Sequence, residues 1–128
     1  MSSLRRTLKG DVLVHHLTED MRTIDQSLLA SQGRSSRTLV KEGLLRLTLI
    51  ALAPGGDMER HRANGPVTMH VIEGEIVFSV PSREYTVTVG DILALAPGVE
   101  HAARSVKGGV FLLTVVHPES AGSSVASE

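Results

Sequence analysis

The sequence lacks several residue types that particular classes of site require. It contains no cysteine and no tryptophan, and aromatic residues make up 2% of its 128 residues. Disulfide bonds, thiolate metal sites and cysteine nucleophiles are therefore excluded, because each of them needs a Cys side chain. A platform for stacking nucleic-acid bases or sugar rings needs several aromatic faces. The three aromatic residues, Phe78, Tyr85 and Phe111, are too few to build one.

The chain also lacks a strong net charge and a long hydrophobic run. Its formal net charge is -1 at pH 7, so no global field attracts it to nucleic acid or to an anionic membrane. No apolar run reaches the roughly 18 residues of a membrane span. The charged first residues are not followed by the apolar segment of a signal peptide. We therefore predict a cytoplasmic protein that binds neither nucleic acid nor membrane.

A helical pattern is found near the N-terminus. Apolar residues recur there at spacings of four, three and four, namely Leu17, Met21, Ile24 and Leu28. This period is typical of one helix face, and Thr18 and Gly33 suit the N-cap and C′ positions. The pattern predicts one helix over residues 17–33 that lies across the outside of a sheet. The preceding His15 and His16 are interpreted as ordinary surface residues.

After the helical segment the pattern changes to short β-rich segments separated by glycine and proline. EIVFSV and EYTVTV alternate in polarity and predict a hairpin that turns at PSR, whereas GGVFLLTVV predicts a strand buried on both faces. Many short strands of this kind indicate an all-β sandwich or barrel. We therefore predict a helical extension over residues 1–37, a barrel over 38–117 and a disordered polar tail over 118–128.

Two spaced motifs within the β-rich part resemble the paired motifs of the cupin superfamily. The first family motif reads Gly, five residues, His, one, His, three or four, Glu, six, Gly. Gly55, His61 and Gly74 fall in register with it, but Ala63 and Val67 stand where a second His and the Glu are expected. Glycines in such motifs allow the tight turns between barrel strands.

The second motif of the family reads Gly, five residues, Pro, one, Gly, two, His, then three and Asn. Gly90, Gly98 and His101 match it, whereas Pro97 is displaced by one position and Ser105 replaces the Asn. The resemblance covers roughly residues 38–117. It implies a cupin jelly-roll barrel, similar to small single-domain RmlC-like cupins, with a short N-terminal helix, a degenerate first metal motif and a homodimeric assembly.

The resemblance also implies where a metal would bind. In metal-binding cupins, two His and one Glu of the first motif meet the His of the second motif around Fe, Mn, Ni, Cu or Zn. Here His61 and His101 stand at ligand positions. Residues of equal parity share a strand face, so the residues expected to face the same way as His61 are apolar: Ala63, Val67, Met69 and Val71. The pocket predicted in the barrel mouth consists of His61, Ala63, Val67, Met69 and His101.

A third metal ligand could come from Glu59 or His70. Glu59 shares the parity of His61, although a surface acid paired with Arg60 or Arg62 is the alternative interpretation. His70 has the opposite parity and would turn inward if a bulge at Gly65-Pro66 shifted the strand.

Three hypotheses about function remain open at this stage. The first is a small-molecule-binding cupin without chemistry. The second is a metal-dependent enzyme of the dioxygenase or isomerase type that uses His61 and His101 with a non-standard third ligand, or a metal-free enzyme in which one of these histidines is a general base. The third is a dimer scaffold that uses Thr68, His70 and Ile72. No catalytic residue is assigned.

Overall fold

The protein is described here by a computed structural model that covers residues 12–118, an all-β jelly roll with two short helices at its N-terminus. The helices are α1 (Leu17–Met21) and α2 (Gln26–Gln32). The eight strands are β1 (Arg34–Glu42), β2 (Leu45–Leu52), β3 (Asp57–His61), β4 (Val67–Val80), β5 (Arg83–Thr88), β6 (Ile92–Leu95), β7 (His101–Arg104) and β8 (Gly109–Val116). Almost all of the predicted C-terminal tail lies outside the described residues. Within them, no helix is long and apolar enough to cross a membrane.

The N-terminal helical region is two helices rather than the single helix predicted. The N-cap of α1 is His16, not Thr18. The chain turns after α1, and Asp25 then starts α2 by accepting a hydrogen bond from the backbone N–H of Leu28 at 3.0 Å. Gly33 closes α2 with a φ of 81°, which confirms the predicted C′ glycine.

The two helices pack against the outer face of β1, β2 and β8, as the sequence predicts. Apolar residues of the helices contact a buried outer cluster, which consists of Leu39, Leu49, Ala51 and Val110. Because β8 also contributes Phe111, Leu113 and Val115 to the inner core, this strand is buried on both faces, which confirms the interpretation of GGVFLLTVV.

All strands pair in antiparallel fashion in one curled sheet with the order β1-β2-β8-β4-β7-β3, and β5 and β6 also pair with β4. The first half of β4 pairs with β8 and β6, and its second half pairs with β5 and β7. The strand passes between these layers at Gly74, whose φ is 74°. A Cβ atom at this position would lie 2.2 Å from the Gly108 carbonyl oxygen. The last glycine of the first motif is therefore required by the corner of the barrel.

The inner core joins the two layers of the curled sheet. Phe78 of β4 and Phe111 of β8 are both fully buried, and their rings meet edge to face with centroids 5.2 Å apart. Such a pair stabilises a core beyond its buried area by about 0.5–1.5 kcal/mol. The hairpin predicted between β4 and β5 is confirmed, with Val80 and Arg83 paired on either side of the turn. The first strand begins at Arg34, before the boundary predicted at residue 38.

Candidate ligand-binding site

The paired motifs bring His61 and His101 into direct contact. The two residues are register partners in β3 and β7, and their ring centroids lie 4.4 Å apart at an angle of 61°. His101 is 3% exposed, whereas His61 is half-buried. The turn between β6 and β7 delivers His101 to this position, and the Gly98 N–H fixes that turn by donating to the Ala63 carbonyl at 2.8 Å.

Both imidazole rings are oriented by the backbone in the same way. His61 Nδ1 lies 3.1 Å from the Glu59 carbonyl oxygen, and His101 Nδ1 lies 2.9 Å from the Val99 carbonyl oxygen. A carbonyl oxygen only accepts hydrogen bonds, so Nδ1 carries the proton in each neutral ring. The lone pair that could accept a hydrogen bond or bind a metal is therefore on Nε2 of both rings.

A β-bulge in β3 decides which side chains accompany His61. Met58 pairs with Ala103 and His61 pairs with His101, so two residues of β3 stand opposite one residue of β7. Met58 and His61 both border the inner cavity despite their different parity. Glu59 lines a larger cleft between β1 and β3 with His61 but is not among the residues that border this cavity, so residue parity alone does not decide which side chains accompany His61 there.

The predicted apolar wall is present, but part of it belongs to the packed core. Ala63, Val67 and Met69 are 2%, 3% and 3% exposed and join one buried cluster. Met69 borders the small cavity between the two histidines, which has a volume of about 10 Å³. Such a space holds about one water molecule. Ala63 and Val67 are not among the residues that line this cavity, so the core packing removes them from the predicted pocket.

A much larger space opens on the side of the barrel between β1 and β3, the first and last strands in the order of the sheet. This cleft between β1 and β3 has a volume of about 520 Å³ and includes His61 in its lining. We call it the β1–β3 cleft. Its floor is apolar and is formed by Ile50, Met58 and Leu113. Met58, His61 and Leu113 also border the small cavity, so His61 connects the cleft with His101.

The wall of the β1–β3 cleft on the side of β1 is polar. Arg34, Ser36 and Thr38 alternate along β1 and line the cleft together with Thr48 of β2. Ser36 pairs with Ile50 and Arg34 pairs with Leu52. Because Ile50 and Leu52 belong to the inner core and cross-strand partners share a face, this row of polar residues faces inward.

Sequence reasoning did not find this polar wall. The prediction placed the boundary of the barrel after Arg34 and Ser36, so the polar row was divided between a helical extension and a strand. The alternation of Arg34, Ser36 and Thr38 is a period-2 signal that was available. Which face it would occupy depends on the pairing with β2, which the residues of β1 do not encode by themselves.

The opposite rim of the cleft carries charges of both signs. Glu59 and Arg60 of β3 line the cleft and are exposed. Arg60 and Arg62 lie 4.0 Å and 3.8 Å from the carboxylate of Glu100. These are solvent-exposed ion pairs and contribute little to stability. The acid near Arg60 and Arg62 is therefore Glu100 rather than Glu59.

Ser105, which replaces the family Asn, has a structural role at the junction of β7 and β8. Its hydroxyl donates to the Glu75 carbonyl at 2.6 Å and accepts from the Gly108 N–H at 2.9 Å. The side chain is fully buried, so these bonds satisfy groups that water cannot reach. The departure from the motif at this position leaves the barrel closure intact.

The chain is thus a single-domain jelly-roll barrel in which each of the two motifs contributes one histidine. These residues, His61 of β3 and His101 of β7, are partners across the two strands. A family model described as a cupin domain matches residues 48–117, and the chain belongs to the cupin family. A comparison with the curated proteins found no match.

Among solved structures, the chain is similar to a conserved protein of unknown function from Streptococcus pyogenes. The two are 29% identical with a TM-score of 0.65, over 70% of this chain and 79% of the other. An RmlC-like cupin from Shewanella frigidimarina is 24% identical with a TM-score of 0.64, over 70% of this chain and 80% of the other. A cupin-2 domain protein from the same organism is 14% identical with a TM-score of 0.67, over 81% and 95%.

The residues around the histidine pair do not fit a complete cupin metal centre. Within residues 12–118, no group of three or more His, Cys, Asp or Glu side chains is placed to hold a metal ion. His70 pairs with Leu112, which packs against the outer cluster, so His70 faces away from His61 and cannot supply the third ligand. The positions of the second His and the Glu are held by the buried Ala63 and Val67.

Proposed function

We propose that this cupin binds a small organic molecule in the β1–β3 cleft. The observation that carries the proposal is the cleft itself, with a volume of about 520 Å³, a polar wall and an apolar floor. Ligand pockets have volumes of roughly 300–1,000 Å³ and combine apolar surface with a few polar groups. The proposed site lies on the open side of the barrel and shares His61 with the pocket that the sequence predicts in the barrel mouth.

The two histidines have different roles in this proposal. His61 lines the cleft and contacts the ligand, offering an Nε2 whose ring is oriented by the Glu59 carbonyl. His101 lies behind His61, is almost completely buried and does not line the cleft. It therefore acts as a positioning residue that packs against the His61 ring at 4.4 Å between centroids.

A fragment screen by protein-observed NMR tests the proposal with a variant that fills the cleft. Fragments that bind should shift the amide signals of β1, of Thr48 and of residues 58–61. Ser36→Phe places a large side chain on the polar wall and should weaken these fragments by about tenfold or more, as expected when a contact region is blocked. Ser82→Phe, in the exposed turn between β4 and β5, adds the same ring elsewhere and should leave them unchanged.

Two results would overturn this function. One is a screen in which every fragment that binds shifts signals outside the cleft. The other is a Ser36→Phe variant that is folded, as judged by its NMR spectrum, and binds the same fragments as tightly as the Ser82→Phe variant.

The remaining sequence predictions concern metal, assembly and compartment. A divalent transition metal on His61 and His101 stays a prediction, and elemental analysis of the purified protein tests it. With two imidazoles as ligands, the affinity should be weak, because affinity depends on ligand number and charge. A homodimer and a cytoplasmic location likewise stay predictions, and sedimentation analysis tests the first of them.

A further inference from the structure

We propose that the ligand of the β1–β3 cleft is a carboxylate with an apolar body, and that Arg34 binds the carboxylate group. This inference rests on the proposed function, because it names the class of molecule that the same cleft takes. Its basis is the placement of charge along the cleft wall.

Among residues 12–118, no acidic side chain compensates the charge of Arg34. It lies on the inward face of β1, lines the cleft and is exposed. Within the described part of the chain, it makes no ion pair with an acidic side chain. A guanidinium presents a planar fork of donors that matches a carboxylate through two parallel hydrogen bonds. The carboxylate of a ligand would therefore supply the acidic partner that the guanidinium of Arg34 does not have among residues 12–118.

The other charged groups of the cleft favour a single negative charge on the ligand. Arg60 lines the opposite rim but faces Glu100 at 4.0 Å. Glu59, on the same rim, adds a negative charge. Arg62 lies 3.8 Å from the same Glu100 carboxylate, so the two arginines and two glutamates of this rim sum to zero and leave Arg34 as the excess cation of the cleft. A doubly charged phosphate would meet the repulsion of Glu59 with one guanidinium to offset it, so a carboxylate fits the cleft better.

The lining also indicates how such a molecule lies. From Arg34 to Thr38 the wall extends over about 13 Å, at roughly 3.3 Å for each residue of a strand. Ser36 and Thr38 offer hydroxyl groups along this wall, whereas Ile50, Met58 and Leu113 form an apolar floor. A carboxylate held by Arg34 would thus direct an aliphatic or aromatic body over the floor toward His61.

Matched probes test the inference with two arginine variants. The probes are hexanoate, hexanamide and hexyl phosphate, titrated by NMR against the full chain. Hexanoate should bind the wild type about tenfold more tightly than hexanamide, since hydrogen bonds to charged groups are worth that much. Arg34→Gln should abolish this preference without weakening hexanamide. Arg62→Gln is the control, because Arg62 is exposed beside Glu100 and is not among the lining residues.

Several outcomes would overturn the inference. Equal affinities of hexanoate and hexanamide for the wild type would refute it and leave the proposed function standing, provided that both probes shift cleft signals. Tighter binding of hexyl phosphate than of hexanoate would refute the choice of a carboxylate. An equal loss of preference in Arg34→Gln and Arg62→Gln would show a general effect of net charge. If none of the three probes binds while screened fragments still bind in the cleft, the ligand class is wrong.

Discussion

His15 and His16 are adjacent in the chain, but the structure predicts very different effects of replacing them with alanine. The ring of His15 bridges two segments, because Nδ1 lies 3.0 Å from the Asp20 carboxylate and Nε2 lies 2.9 Å from the Leu39 carbonyl oxygen. The side chains of His15 and Asp20 are only 14% and 12% exposed. His16, in contrast, is exposed. The interpretation of both residues as ordinary surface histidines is therefore wrong for His15.

The contacts of His15 also indicate the size of the effect. Both neighbours of the ring are acceptors, and one of them is a carboxylate. A hydrogen bond to a charged group contributes about 1.5–3 kcal/mol, and an ordinary one about 0.5–1.5 kcal/mol. His15→Ala removes both and leaves the Asp20 carboxylate largely buried without this partner. We expect it to lower the free energy of unfolding by about 2–4 kcal/mol.

Urea unfolding followed by far-ultraviolet circular dichroism measures this difference. His16→Ala is the matched control and should change the free energy of unfolding by less than about 0.5 kcal/mol. A double-mutant cycle with Asp20→Asn should give a coupling energy of at least about 1 kcal/mol between positions 15 and 20. If His15→Ala is no more destabilising than His16→Ala, or if the coupling is absent, the bridge does not contribute to stability and the reasoning is refuted.

Two further predictions concern the barrel corner and a surface ion pair. Gly74→Ala should lower the free energy of unfolding by more than about 2 kcal/mol in the same assay, because it adds a clash with the Gly108 carbonyl to a left-handed backbone conformation. The control is Gly43→Ala, which has a φ of 56° and no atom within 4 Å of the added Cβ, and it should lower the free energy of unfolding by about 1 kcal/mol. Equal losses in the two variants would contradict the clash. The hydrogen bond from Arg104 lowers the pKa of Glu84 below its ordinary value, so Arg104→Gln should raise that pKa in an NMR titration. A carboxylate whose pKa is lower in the folded state than in the unfolded state stabilises the fold at pH values above the unfolded pKa. Any difference in the free energy of unfolding between wild type and Arg104→Gln should therefore shrink as the pH falls through the lowered pKa of Glu84. An unchanged pKa of Glu84 in the variant would contradict the assignment.

Much of the fold was predictable because it depends on patterns that are local in the sequence. The alternation in EIVFSV fixed the buried face of β4, where Ile76 and Phe78 are fully buried. The continuous apolar run of β8 indicated burial on both faces. The spacing of the two motifs placed His61 and His101 together, since His61 is the last residue of β3 and His101 is the first residue of the antiparallel β7.

The errors came from features that depend on partners distant in the sequence. The bulge in β3 follows from pairing with β7, so residue parity within β3 could not indicate that Met58 borders the small cavity with His61. The bridge made by His15 needs the carbonyl of Leu39, a backbone group that no side-chain pattern reveals. The division of residues 17–33 into two helices depends on Asp25, whose capping bond competes with a continuous helix.

The packing at the centre of the barrel determines where a ligand can bind. Met69, Phe111 and Leu113 close around the two histidine rings and leave about 10 Å³. In a metal-binding cupin, the missing ligands would be expected to project into this region from the positions of Ala63 and Val67. Both residues are instead part of the buried core, and larger side chains there would overpack it at a cost of about 1–3 kcal/mol.

With the centre filled, His61 is the residue through which the motif histidines can still act on a ligand. It borders both the small cavity and the β1–β3 cleft, whereas His101 borders the cavity and not the cleft. Under the proposed function, a molecule in the cleft would contact His61 directly, and His101 would affect it only through the packing of the two rings. The chemistry available to such a ligand would then come from one imidazole and the polar residues of β1, which lie outside both cupin motifs.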